Sequence, residues 1–260
     1  MTAAIAFSHV VKTFENGAIR AVDDVTLDIA QGEFVAIVGG SGSGKTTLLR
    51  LVNRLIVPDS GDVRVHGEDV SLADPIALRR SIGYVFQSGG LFPHMTVGQN
   101  IGITPRLLGE NEAAISKRVN ELIELVRLDP AQHRGRYPAE LSGGQRQRVG
   151  VARALAASPK IVMMDEPFGA LDPLTRAALA DDYHALHRKL GLTTVMITHD
   201  MAEALLLADR AGVMRHGKLL SYGTASELTQ ASDDYVRELI GTPRRQAEQL
   251  QTLLSKDSAP

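Results

Sequence analysis

The chain has 260 residues, 44% of them hydrophobic, enough for one large core or for a domain with a sub-domain. Its 28 basic and 30 acidic residues nearly balance, so no basic surplus points to nucleic acid, and the lack of Cys excludes disulfides, thiol catalysis, iron–sulfur clusters and Cys-based zinc sites. No apolar run approaches the ~18 residues of a membrane span, and the start, MTAAIAFSHV, lacks the charged and apolar regions of a signal peptide, so the chain is expected in the cytoplasm, reaching any membrane only through a partner.

No internal repeat or low-complexity segment stands out. The first third reads as short strands, IAFSHVV, VTLDIA, FVAIVG, DVRVHG and IGYVFQ, separated by turn clusters such as PDSGD. Over residues 111–128, Ile115, Val119, Leu122, Ile123 and Val126 fall at helical spacing. QRQRVGVARALAAS predicts a further helix ending before Pro159, with Ser142 as a fair N-cap. Apolar IVMMD then precedes a helix over 173–190, marked by Asp172 as N-cap, Pro173 at the first position and Gly191 after the last turn. TVMITH, a helix over 200–208, AGVMRHG and KLLSYG follow, and Thr224 to Glu227 form a capping box. Alternating strands and helices imply a parallel sheet covered on both faces, carrying a helical sub-domain between Gln87 and Pro159. The tail after Gly241 is polar, with Leu250, Leu253 and Leu254 on one face of a frayed or loosely docked helix.

The stretch GGSGSGKT, residues 39–46, matches G-x-x-x-x-G-K-[ST] and lies between an apolar strand and a helix, the context this phosphate loop requires. Its glycines let backbone N–H groups converge on one point, and the helix starting near Lys45 adds its positive end. Lys45 brings a cation to the β- and γ-phosphates, and Thr46 offers a hydroxyl to Mg²⁺. A plain Gly/Ser-rich turn would not place Lys, Thr, strand and helix in this register. Kinases, GTPases, helicases and transport motors all use such a loop, so it leaves the function open.

Ile161–Pro167, IVMMDEP, ends an apolar strand in two carboxylates, an awkward place for charge unless a cation waits there. Beside a phosphate loop, Asp165 reads as part of the Mg²⁺ shell and Glu166 as the group polarising the attacking water. Gln87 and His199 each follow a strand; alone, they read as a polar strand end and a satisfied loop histidine. In LSGGQ, residues 141–145, two glycines behind an N-cap weaken a helix start but open a second set of N–H groups at a helix N-terminus. A second anion site in a chain that already has one suggests service to another copy.

In this order the motifs resemble the ATP-binding cassette (ABC) family of transporter ATPases, from about Ile5 to Tyr222. The resemblance implies an α/β fold with a P-loop NTPase core, an antiparallel β sub-domain and a helical sub-domain at about residues 90–158, in one ATPase domain over 1–240 with a tail over 241–260. It makes Phe14, usually Tyr in the family, the ring that stacks on adenine. Gly39, Gly40, Ser41, Gly42, Ser43, Gly44, Lys45, Thr46 and Thr47 hold the phosphates, with Val22 nearby. Gln87 occupies the Q-loop, which touches Mg²⁺ and whose following residues face the membrane partner. Ser142, Gly143, Gly144 and Gln145 are the signature motif. Asp165 belongs to Walker B with Thr46 and Gln87 as fellow metal contacts, Glu166 is the catalytic glutamate, Ala170, Leu171 and Asp172 are the D-loop, and His199 is the switch histidine.

The resemblance further implies a head-to-tail dimer with two ATP and Mg²⁺ between Walker A of one copy and the signature motif of the other. Lys45, Gln87, Glu166 and His199 would carry hydrolysis, and the chain would lie peripherally on the cytoplasmic face of the inner membrane. There it would drive integral membrane permease subunits and, indirectly, a substrate-binding protein. VNRLIVPDSGDVRVHGEDV and IGYVFQSGGLFPHMTVGQNIGITPRLLG look like the ATPases of osmoprotectant importers for glycine betaine, choline, carnitine or proline. His94, in the second stretch, reads as an exposed loop histidine. Many ATPases of that group add paired C-terminal regulatory domains, for which this sequence leaves no room, so their ionic-strength sensing is not expected. An importer ATPase for amino acids or another small solute, and a soluble ABC ATPase outside transport, are the alternatives.

Overall fold

A computed structural model describes residues 3–87, 89–169 and 171–256. In chain order its elements are β1 (Ala3–Phe14), β2 (Ile19–Ala30), β3 (Phe34–Val38), α1 (Lys45–Val52), β4 (Ser60–Val65), β5 (Glu68–Asp69), α2 (Pro75–Ser81), β6 (Ile82–Val85), α3 (Val97–Leu107), α4 (Glu112–Leu125), α5 (Pro130–His133), α6 (Gly143–Ala154), β7 (Ile161–Asp165), α7 (Pro173–Leu190), β8 (Thr193–Thr198), α8 (Met201–Leu207), β9 (Arg210–Arg215), β10 (Lys218–Gly223), α9 (Ala225–Thr229) and α10 (Asp234–Lys256).

The central sheet has the strand order β10-β9-β3-β8-β7-β6. All its pairings are parallel except that of β10 with β9. β3 is buried along its whole length, because both of its faces are covered. Phe34, Ala36 and Val38 point into one core with Val162, Met164, Met196 and the helices α3, α4, α6 and α7. Val35 and Ile37 point into the other, with Leu48 and Leu49 of α1 and the inner face of a second, antiparallel sheet ordered β2-β1-β4-β5. This agrees with the α/β architecture with an antiparallel β portion and a helical portion inferred from the sequence.

The register matters most for the chemistry. Val38 pairs with Thr198 and Val213, Asp165 with Ile197, and Val85 with Met164. Parallel strands in this register end together, so the loops after β3, β6, β7 and β8 leave one edge of the sheet.

Several elements differ from the sequence reading. β2 begins at Ile19 and not near Val25, since its polar first half still pairs with β1, Lys12 opposite Val22 and Phe14 opposite Ile19. The structure adds α2 and α3, where Asp74 caps Ala77 N–H at 2.7 Å and Thr96 with Gln99 forms a capping box. α6 starts at Gly143, two residues early, and stops at Ala154. α10 runs unbroken through Gly241 and Pro243, so the boundary expected at 240 falls inside a helix; Leu250 and Leu253 are exposed on it, and the side chain of Leu254 lies outside the description.

α7 is tied to the sheet by a buried polar cluster. The Thr194 hydroxyl meets Tyr183 Oη at 2.8 Å and His187 Nδ1 at 3.0 Å, and the His187 ring packs 5.1 Å from that of Phe34. Burial is the main cause holding the His187 imidazole below its ordinary 6.5, with Asp209 opposing and His184 and Arg188 adding to the effect. The unfolded chain therefore takes up this proton more readily than the folded one. The resulting stability is complete above the ordinary histidine value and is lost as pH falls through the folded one. His187→Gln is expected to flatten the acid limb of a plot of urea-unfolding free energy against pH between about 7 and 5, a range set by the ordinary histidine value; an unchanged slope would refute this origin.

Candidate nucleotide site

The loop after β3 is shaped by what surrounds it. A Cβ on Gly39 would lie 2.2 Å from the Met214 carbonyl oxygen, and one on Gly44 would lie 2.0 Å from that of Ala21. Gly44 also has φ 104°, a left-handed conformation that side chains resist. Backbone from β9 and β2 thus presses the loop into a tight cradle, and α1 opens directly from it, its first N–H groups without helical acceptors. Val22, expected near the nucleotide, is fully buried in the core with Leu48 and Met214, and it is the carbonyl of its neighbour Ala21 that touches the loop.

Lys45 is 7% exposed. Its ammonium donates to the carbonyls of Gly39 at 2.8 Å and Gly40 at 3.0 Å, and to Ser43 Oγ at 3.4 Å. Burial lowers its pKa, while Glu166 and Asp165 act the other way. A cation spanning the concave side of a glycine cradle, facing two carboxylates, is a donor set suited to a polyphosphate carrying a divalent cation. Thr46 and Thr47 are half-buried on the first turn of α1.

The carboxylates come from β7. Burial and the neighbouring Glu166 push the Asp165 pKa up. Tyr84, which the sequence reading did not single out, reaches Asp165 Oδ2 with its hydroxyl at 3.5 Å. Glu166 sits at φ 44°, unusual for a non-glycine residue, a conformation that costs ~1–3 kcal/mol and persists only where its surroundings hold it. Here they do: its N–H donates to Ile197 O at 2.9 Å, and Phe168 just beyond is completely buried. That turn aims its carboxylate at two residues uninterpretable by themselves in the sequence. Gln87 Nε2 donates to Glu166 Oε2 at 2.9 Å, and His199 Nδ1 lies 3.3 Å from the same oxygen. Gln87, Glu166 and His199 are therefore one constellation beside Asp165.

The other sequence-predicted residues lie apart from it. Phe14 ends β1 at 39% exposure, with Lys12 Nζ 5.6 Å from its ring centre. Ser142 and Gln145 form a reciprocal capping box at the start of α6, and Gln145 Nε2 also meets His133 Nε2 at 3.3 Å. Among the described residues no hydrogen bond or ion pair joins 142–145 to 39–46. Gly144 has a packing reason that the sequence concealed: a Cβ there would come 2.6 Å from Thr175 Cγ2 of α7, whereas Gly143 is unobstructed by anything closer than 4.0 Å. Asp172 caps α7 by accepting from Thr175 N–H at 3.1 Å, and that partnership lowers its pKa. Leu171 beside it is buried, and Ala170 lies outside the described residues.

An acid whose folded pKa is raised costs stability above that value and nothing below the unfolded one. Asp165→Asn is therefore expected to raise the melting temperature of the nucleotide-free protein at pH 7 to 8, and the gain should vanish as pH falls below the ordinary 3.8. An equal or lower melting temperature at neutral pH would contradict the assigned burden.

The family model described as ABC transporter matches residues 22–169. A glycine betaine uptake system ATP-binding protein of Escherichia coli (strain K12) is 49% identical over 238 residues, covering 91% of this chain and 76% of that protein. A carnitine transport ATP-binding protein of Listeria monocytogenes is 48% identical over 241 residues, 92% of this chain, which spans only 60% of that relative's length. Among solved structures, a dimeric ATP-binding cassette in a post-hydrolysis state, bound to ADP and Pi, superposes with a TM-score of 0.77 at 33% identity, covering 85% of this chain and 98% of that one. With the glycine cradle, the paired carboxylates and the Gln–Glu–His constellation already in place, these likenesses identify the fold and its lineage: the chain belongs to the ABC transporter family.

Proposed function

We propose that this chain is the ATP-hydrolysing subunit of an importer for osmoprotectants of the quaternary-amine type, working as a head-to-tail pair beneath membrane permease subunits. The observation that carries the reading is the convergence of Gln87 and His199 on one oxygen of Glu166, beside Asp165 and across from Lys45.

In this reading the cradle's N–H groups and Lys45 bind the phosphates of ATP. Thr46, Asp165 and Gln87 supply oxygen donors for Mg²⁺, which when bound neutralises charge on the phosphates. Glu166 orients and polarises the attacking water, with Gln87 and His199 fixing the carboxylate. Phe14 offers its exposed ring to the base. Ser142, Gly144 and Gln145, at the start of α6, serve the γ-phosphate held by the second copy, which fits the absence of any link from 142–145 to 39–46 among the described residues. The groove holding Phe86, Phe92, Thr104 and Leu107, about 420 Å³, suits a permease segment; both phenylalanines and Leu107 are exposed there. In this reading the chain works peripherally on the cytoplasmic face of the membrane. The substrate class rests on the relatives named for glycine betaine and carnitine transport. The same site chemistry would equally serve an importer of another small solute.

Lys45→Ala is expected to abolish uptake of labelled glycine betaine at high osmolarity in cells carrying the chain with its transporter subunits. Uptake equal in both forms would remove the osmoprotectant assignment, and unchanged ATP hydrolysis by purified Lys45→Ala would remove the ATPase reading. Glu166→Gln is expected to lower kcat for ATP about 10²-fold or more while leaving nucleotide binding intact; a loss of binding with kcat preserved would reassign that carboxylate.

A further inference from the structure

α6 connects two places that the function uses. Its first residues are Gly143 and Gly144, capped by Ser142, and its last turn carries Arg153. Arg153 is 8% exposed and, among the described residues, has no carboxylate partner. Its guanidinium donates instead to Gly90 O at 2.7 Å and Gly89 O at 2.9 Å. It also lies 5.7 Å and 5.9 Å from the ring centres of Phe86 and Phe92. Burial without an anion lowers its pKa. A buried cation satisfied only by two loop carbonyls and two ring faces is a demanding arrangement, and it fits a planar fork far better than an ammonium.

The same face of α6 holds that loop at two further points. Gln147 Nε2 donates to Phe86 O at 3.3 Å. A Cβ on Gly150 would lie 3.2 Å from Gly89 O, and one on Gly89 would lie 3.1 Å from Arg146 O, so loop and helix touch backbone to backbone. Gln87, within this loop, is the residue that reaches Glu166. All these contacts lie on one continuous helix of 12 residues, about 18 Å of stiff backbone, which begins directly after Ser142.

We propose that Arg153 is a positioning residue that clamps the loop of Phe86, Gln87, Gly89 and Gly90 to α6, so that the Gln87–Glu166 contact and the helix start at 142–145 shift as one body. A displacement of the Phe86–Phe92 groove then reaches the catalytic carboxylate and the open end of α6 together. This inference rests on the ATPase reading above for its catalytic consequence, but not for its structural one.

The test uses the full chain. Arg153→Lys keeps the charge and loses the fork. It should lower kcat for ATP about tenfold through misplacement of Gln87, with binding of a fluorescent ATP analogue unchanged. In a Gln87→Ala background, Arg153→Lys should bring no further loss. Amide hydrogen exchange should quicken both in peptides covering 86–92 and in those covering 141–147. Phe92→Leu, which removes one ring at a partly exposed position and leaves both hydrogen bonds, should act in the same direction more weakly, and it decides the matter if Arg153→Lys does not fold. Faster exchange confined to 86–92, or kcat losses that multiply in the double variant, would overturn the proposal. Absence of hydrolysis by the unmodified chain would overturn the ATPase reading, and the exchange comparison alone would then decide the clamp.

Discussion

Parallel hydrogen bonding of β3 to β8 and of β8 to β7 fixes where everything else can be. Once Val38 stands opposite Thr198, and Asp165 opposite Ile197, the phosphate loop, the carboxylate pair and His199 must emerge side by side. The pairing itself is secured by burial on both faces of β3. Phe34, Ala36 and Val38 commit it to one core and Val35 and Ile37 to the other, so a slip of one residue would exchange the two sets. The site inherits its precision from this sheet.

Around that edge the protein tolerates arrangements that stability alone would not select. A lysine is buried, an aspartate is pushed toward its neutral form, and a glutamate occupies a left-handed backbone conformation. Each is held by neighbours that are themselves rigid: carbonyls of the loop on Lys45, Tyr84 near Asp165, and Ile197 beneath Glu166. Concentrated strain and desolvation of this kind belong to sites where charge must be ready before substrate arrives. Arg153 extends the pattern, a cation buried away from the phosphate loop whose ligands are the backbone of the Gln87 loop.

The helical portion adds a second physical element, a rigid α6 whose two ends meet different surroundings. Its start is open, and Gly144 allows α7 to approach through Thr175. Its end is fastened to the groove formed with Phe86 and Phe92. Asp182 of α7 accepts from Arg148 of the same helix at 3.1 Å, so α6 is braced against the central sheet's flanking helix as well.

The sequence by itself determined the α/β class, the glycine-rich loop before α1, the carboxylate pair at the end of β7, the capping of α6, α7 and α9, and the family. These are local patterns: residue type and spacing along the chain suffice, because one turn or one helix start carries the chemistry. Gln87 and His199 could not be interpreted by spacing, since their meaning is a shared oxygen of Glu166, 79 and 33 positions away along the chain. The walls of the cradle, Ala21 and Met214, act through backbone carbonyls and leave no trace in side-chain type. Only tertiary structure decided these, together with the burial of Val22 and the clamp of Arg153. Contacts between distant segments depend on strand register and on which backbone atoms approach, and a one-dimensional pattern encodes neither.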